Sequence, residues 1–188
     1  MSERSTTEIL RLTLLFAAIL VLAATSHPRP WSVVTGAVLV AAGEAVRVWA
    51  AGHLYKTHEL ITSGPYRFTR NPLYLGRFLI LTGLGVMAWY GPLINLGVIG
   101  LGWLLFFGYY MPRKERIEPA RLEQVHGEAY RRYFEAVPAL FPTLRPWPDN
   151  GQRWRADRFA RNREHWMIVG LLLLIVLFAV RAVYDARL

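Results

Sequence analysis

The chain has no cysteine. Disulfides, a thiolate nucleophile and any cysteine-based metal site are therefore excluded. Acidic residues are also scarce: 13 Asp and Glu stand against 22 Lys and Arg, a formal net charge of +9. Charged residues make up 19% of the sequence while 54% is hydrophobic, too apolar for an ordinary soluble domain. In a soluble protein such a basic excess would suggest nucleic acid. Beside long apolar runs, an anionic lipid surface is the expected partner, and no nucleic-acid role is expected. There is no internal repeat and no low-complexity tract. The 188 residues predict one domain, 1–188.

What is present in quantity is apolar sequence of spanning length. A membrane helix needs roughly 17–25 apolar residues. The runs predict five spans, at about 8–25, 31–54, 73–89, 92–110 and 166–184. Ser26-His27-Pro28-Arg29-Pro30 breaks the first from the second, and only Tyr90-Gly91 separates the third from Pro92 of the fourth, so those two form an antiparallel hairpin. Trp31 and Trp49 suit the two interfaces of the second span. Within that span Glu44 and Arg47 are three apart, on one helical face, and can pair. Each would cost roughly 2.5–3.5 kcal/mol at a helix centre, so they face the bundle or a wet cavity. Gly83, Gly85, Gly97, Gly100 and Gly102 permit close helix approach.

After Met111 the chain turns polar. Leu122, Val125, His126, Ala129, Tyr130 and Tyr133 recur at helical spacing and predict an amphipathic helix folded over the bundle mouth. Pro138, Pro142, Pro146 and Pro148 mark an extended linker, and the basic stretch 152–164 reads as an interfacial helix on anionic headgroups. The fold expected is thus an all-α integral membrane protein with five transmembrane helices and a cytoplasmic amphipathic helix. Charge fixes its orientation. Arg4, Arg11, Lys56, Arg67, Arg70 and twelve basic residues between Arg113 and Arg163 fall on one side, against Arg29, Arg181 and Arg187 on the other. The positive-inside rule makes the first side cytoplasmic, with the amino terminus, and puts the carboxyl terminus opposite.

One connection between spans is far too rich to be filler. His58-Glu59-Leu60-Ile61-Thr62-Ser63-Gly64-Pro65-Tyr66 runs on through Arg67-Phe68-Thr69-Arg70-Asn71-Pro72-Leu73-Tyr74-Leu75-Gly76. Gly64-Pro65 signals a turn, and Pro72 suits the first turn of a helix. Together with a second block from Glu118 to Gly127, Tyr130, Tyr133 and Pro138, this pattern resembles the isoprenylcysteine carboxyl methyltransferase family, which is related to the phospholipid methyltransferases. The two cytoplasmic blocks, 58–76 and 113–138, span the middle of the chain.

The resemblance implies S-adenosylmethionine as methyl donor, S-adenosylhomocysteine as product and a lipophilic methyl acceptor. It carries the family's cofactor positions onto His58, Glu59, Leu60, Ile61, Tyr66, Arg70, Asn71, Pro72, Leu73 and Glu118. Chemically, Glu118 suits the donor ammonium, Arg70 or His58 its carboxylate, and Tyr66 or Tyr74 its sulfonium or adenine. Arg113, Lys114 and Arg116 are the acceptor-side candidates, Lys114 standing where the family has an arginine. Asn71 replaces a family histidine, and Glu118-Pro119 replaces two adjacent glutamates, which leaves Glu118 as the pair's surviving carboxylate. Arg121, one turn on, is expected to be a bystander. The residues name no catalytic group and leave the acceptor open: an isoprenylcysteine carboxylate, a phospholipid amine, or a small hydrophobic acid or thiol. No metal is expected, since His53 and His58 do not share a helical face. The oligomeric state is not encoded in any motif. Two other readings of the same residues are an NADPH-dependent membrane reductase of the sterol reductase type and a non-enzymatic membrane scaffold.

Overall fold

A computed structural model describes residue 17, residues 20–55 and residues 60–185, with the side chain of Glu118 outside that description. The described residues are helical with no strand. The expected span at 8–25 lies outside them except for residue 17 and residues 20–25, which are helical. Six helices follow: α1 (Pro30–His53), α2 (Pro72–Met87), α3 (Pro92–Leu105), α4 (Met111–Ala136), α5 (Ala156–Arg161) and α6 (Glu164–Asp185). Proline opens α1, α2 and α3, where its missing N–H costs nothing and its fixed φ suits the first turn.

Among the described residues three stretches are long and apolar enough to cross a membrane: Pro30–His53, Pro92–Ile117 and Glu164–Asp185. The span expected at 73–89 is α2, an apolar helix of 16 residues, shorter than those three. Its length is compensated by intimacy with α1. The two helices meet through paired glycines: a Cβ on Gly43 would lie 2.5 Å from the Gly76 carbonyl oxygen, and one on Gly83 would lie 2.6 Å from that of Gly36. Only glycine on both sides lets the backbones approach so closely. Val40, Ile80, Leu84 and Met87 fill the seam, and Leu171 and Phe178 of α6 close it from the other side.

Asn95 staples the α2–α3 hairpin. Its amide donates to the Gly85 carbonyl (3.2 Å) and its oxygen accepts from the Tyr90 N–H (3.0 Å). Asn95 is the one buried residue of α3. Leu93 is 83% exposed and Leu104 67%, as on a helix whose other face meets lipid tails. The helix then does not stop at the membrane edge. It passes through a π-helical turn at Phe106–Tyr110 straight into α4. The amphipathic helix expected after Met111 is therefore the continuation of the preceding span. It is interrupted by Pro119 and kinked at Gly127, whose φ of 56° and ψ of −132° only glycine tolerates readily.

Glu44 and Arg47 do face the bundle, and Arg47 Nε lies 3.7 Å from Glu44. The stronger partner is Glu164 at the start of α6. Arg47 Nη2 sits 2.8 and 2.7 Å from its two oxygens, and Nε adds a third bond at 3.1 Å. Arg47 Nη1 also donates to the Leu73 carbonyl in the first turn of α2 (3.2 Å). One guanidinium thus ties together three helices.

The basic stretch 152–164, expected to lie on headgroups, caps α1. A helix leaves its last four carbonyls without partners. Here Asn162 donates to the carbonyls of Ala51 and Leu54, Arg158 to that of His53, the Arg155 N–H to that of Gly52, and Trp154 Nε1 to that of Val48.

Candidate functional site

At the loop end of the bundle the two sequence blocks close around one cavity of about 420 Å³. The first block turns at Gly64–Arg67, a short 3-10 helix. Gly64 has φ 55°, and a Cβ there would strike the His53 ring. His53 Nδ1 lies 2.9 Å from Ser63 Oγ, fixing the loop on the end of α1.

The proline-rich stretch 138–149 is not a free linker. It laces the second block to the first. The Arg70 N–H donates to the Pro138 carbonyl (2.9 Å), the Thr143 N–H to Phe68 (2.9 Å) and the Trp147 N–H to Arg67 (2.9 Å). Arg67 Nε returns a bond to the Trp147 carbonyl (2.8 Å) and its guanidinium pairs with Asp149 (3.4 Å). From α4, the Tyr133 hydroxyl donates to the Tyr66 carbonyl (2.7 Å). Burial pushes the Tyr133 phenol well above its ordinary value, partly offset by the nearby Arg70 charge, so it stays a donor.

Of the residues singled out in the sequence, Leu60, Ile61, Tyr66, Arg70, Asn71, Pro72, Leu73, Tyr74 and Lys114 line this cavity. His58 and Glu59 lie outside the described residues, as does the Glu118 side chain, although the Glu118 backbone is in α4, next to Pro119 in the wall. Arg113 and Arg116 are not in the lining. Arg121, expected to be a bystander, is in it. Pro119 and the Gly127 kink bend α4 around the cavity, so Arg121 and Leu122 approach from one arm and Tyr130 and Tyr133 from the other.

The polar centre is Asn71. Its Nδ2 donates to Glu115 (2.7 Å) and to the Ala139 carbonyl (2.8 Å), and its oxygen accepts from Lys114. Glu115 also accepts from Arg70 Nη2 (2.8 Å). Asn71 is an amide, so it donates to a carboxylate and accepts from an ammonium at once without changing protonation. Arg70 lies flat on the Phe134 ring, 3.6 Å from its centroid, and its Nε and Nη1 are buried without a hydrogen-bond partner. Lys114 lies over the Tyr74 ring (4.8 Å), which stacks on Tyr110 (5.1 Å between centroids).

Glu115 has no role in the sequence reading, which counts Glu118 as the surviving carboxylate. The signal was present: Glu115 and Glu118 are three apart on one helix and share a face. Glu164, Arg47's partner, was hidden for a different reason, since it lies 117 positions away. Among the described residues no group of three or more His, Asp or Glu side chains is arranged to hold a metal.

The bundle and the cavity define a membrane-embedded helical protein with a polar site at one end, built from two sequence blocks. Residues 31–116 match the phospholipid methyltransferase family, and the second block, 113–138, lies largely beyond that match. Among its relatives, human protein-S-isoprenylcysteine O-methyltransferase is 30% identical over 129 residues, 61% of this chain and 43% of the relative. The Xenopus laevis enzyme of that name is 32% identical over 129 residues, 61% of this chain and 42% of the relative. The cobalt-zinc-cadmium resistance protein CzcN of Cupriavidus metallidurans is 34% identical over 100 residues, 52% of this chain and 43% of the relative. The aligned part is less than half the length of each of these relatives. No solved structure matches the chain.

Proposed function

We propose that this protein transfers a methyl group from S-adenosylmethionine to a lipophilic acceptor at the cytoplasmic face of a membrane. The observation that carries the reading is the cavity itself. Both blocks line it, Arg70 and Lys114 among them, at the end of a bundle with three described stretches apolar enough to span a bilayer. Its volume is in the range of small-molecule sites, roughly 300–1,000 Å³.

The residues present fit the donor. Arg70, in the cavity wall, suits its carboxylate. Tyr66, Tyr130 and Tyr133 supply aromatic walls, and Glu118 is our candidate for its ammonium. Bound there, S-adenosylmethionine supplies an electrophilic methyl group on a positively charged sulfur. A one-step displacement asks the protein for alignment and exclusion of water. Asn71 and Glu115 serve alignment by locking Arg70 and Lys114 in place. Asn71 does not serve as a base near neutral pH, which favours an acceptor already anionic over an amine that must shed a proton. Lys114, on the acceptor side, supplies charge without the bidentate fork of arginine.

Isothermal titration of the detergent-solubilised protein with S-adenosylhomocysteine tests the reading. Binding in the micromolar range is expected, unaffected by NADPH. No binding of either S-adenosylmethionine or S-adenosylhomocysteine at millimolar concentration refutes it.

A further inference from the structure

Arg77 stands six residues into α2, about 7.5 Å along the helix axis from its first residue. A charge inside an apolar helix is costly and needs a partner. Arg47, one helix away, has Glu164; Arg77 has no comparable partner. Among the described residues no carboxylate ion-pairs with it and no side-chain or backbone oxygen accepts from it. Glu164 acts on it electrostatically but is already held by Arg47. What Arg77 does have is aromatic: its guanidinium carbon lies 5.3 Å from the Tyr74 ring centroid and 5.3 Å from that of Tyr110.

Such contacts hold a cation in place without neutralising it. They also connect it to the site. Tyr74 lines the cavity, and Lys114, which lines it too, lies over the same ring. Two cations thus share one aromatic platform, Lys114 toward the cavity and Arg77 one turn further along α2. Tyr110 closes the platform from the π-helical turn where the lipid-exposed α3 becomes α4. Arg77 is not itself in the cavity lining; it stands beside it, on the ring of Tyr74, which is.

We propose that Arg77 is a specificity residue: with Lys114 it binds an anionic oxygen headgroup, carboxylate or phosphate, carried on a hydrocarbon chain that lies along α3. This rests on the methyltransferase reading, in which the headgroup belongs to the acceptor. A neutral or cationic acceptor would leave Arg77 unpaired and is selected against.

The test uses the full-length protein in dodecyl maltoside and three twelve-carbon probes: laurate, dodecyl phosphate and dodecanol. Noncovalent complexes are counted by native mass spectrometry, and S-adenosylhomocysteine affinity is measured in parallel. Wild type should bind the two anions about tenfold or more tighter than dodecanol. Arg77→Gln should bring all three to the dodecanol level while keeping S-adenosylhomocysteine affinity, which also reports that the variant is folded. Arg77→Lys should restore part of the preference. Equal anion preference in wild type and Arg77→Gln overturns the proposal. So does a preference that appears only in phosphatidylglycerol nanodiscs and not with single probes, because Arg77 is then a headgroup anchor at the bilayer surface. Failure of S-adenosylhomocysteine to bind wild type would refute the donor reading alone and leave the probe result to decide the anion site.

Discussion

Arg47 and Glu164, 117 positions apart, form a bidentate pair sealed inside the bundle, each side chain under a tenth exposed. Breaking one partner of a buried pair leaves an uncompensated charge and costs roughly 3–5 kcal/mol, while replacing both with apolar residues of similar size can be neutral. Arg47→Met should therefore unfold the protein at markedly lower temperature. Glu164→Leu should be the milder single change, since Glu44 remains 3.7 Å from Arg47. The double variant should recover most of the loss in a detergent thermal-unfolding assay. Recovery fails if the Arg47 bond to the Leu73 carbonyl carries the stability instead.

The α1–α2 seam makes a sharper steric demand. Gly43→Val would drive its side chain into the Gly76 carbonyl and the Ile80 side chain. Overpacking of this kind costs about 1–3 kcal/mol. Gly97→Ala, where nothing lies within 4 Å of the new Cβ, should be tolerated. Melting temperatures of the two variants compared with wild type check the contrast.

Asn71 is held by two donated bonds and by Lys114. Asn71→Leu keeps the volume but strips Glu115 and the Ala139 carbonyl of a donor. Each buried group left unsatisfied costs about 1–3 kcal/mol, and Arg70 loses part of what orients it. Affinity for S-adenosylhomocysteine should fall by about tenfold or more. A variant that binds normally would mean the Asn71 network stabilises the fold and plays no part in the site.

For Glu118, replacement by Gln removes a charge-assisted bond worth roughly 1.5–3 kcal/mol, so donor affinity should drop about ten- to a hundredfold. Arg121 lines the cavity, so the control belongs on the exposed face: Arg132→Gln should leave affinity unchanged. Unchanged affinity in Glu118→Gln would remove Glu118 from the donor site.

The Tyr133 phenol gives a pH signature. Its ordinary value is 10.0, and burial raises it in the folded chain. The folded state therefore favours the neutral phenol. That contribution is fully present below pH 10 and is lost as pH rises beyond it. Tyr133→Phe should cost about 1 kcal/mol at neutral pH through loss of the bond to Tyr66, and should show a shallower decline in melting temperature between pH 9 and pH 11. Parallel declines would mean that other groups govern the alkaline side.

How far the sequence revealed this depended on range. The apolar runs gave α1 and α6 to within two residues and the start of α3, because spanning length and hydropathy are local properties, but not that α3 runs on through a π-helical turn into α4. The two blocks pointed to one site, and nine of the residues singled out line one cavity. What local pattern could not show was pairing between distant segments. The Glu44–Arg47 spacing suggested a self-contained pair, whereas the guanidinium turns mainly to Glu164. Prolines 138–148 spelled an extended chain, but not that it hydrogen-bonds to Arg67, Phe68 and Arg70. Basic composition at 152–164 suggested headgroups, and its use on the α1 carbonyls depends on an α1 end more than a hundred residues earlier. Arg77 was not singled out in the sequence, and its want of a carboxylate partner among the described residues is a property of three dimensions.

The lacing of 138–149 onto 66–70 also sets an order of events in the cell. Arg67 leaves the ribosome 80 residues before Trp147, the residue that receives its guanidinium bond. Between those moments the α2–α3 hairpin and α4 are made, while the 66–70 turn has its local 3-10 bonds but not the partners that 138–147 supply. Such a site cannot ripen segment by segment as the chain is synthesised. It is completed late, when the returning strand arrives, and until then a nascent chain carries membrane helices without a working pocket. A chain halted before Trp147 would therefore lack part of the lacing that fixes the 66–70 turn against α4.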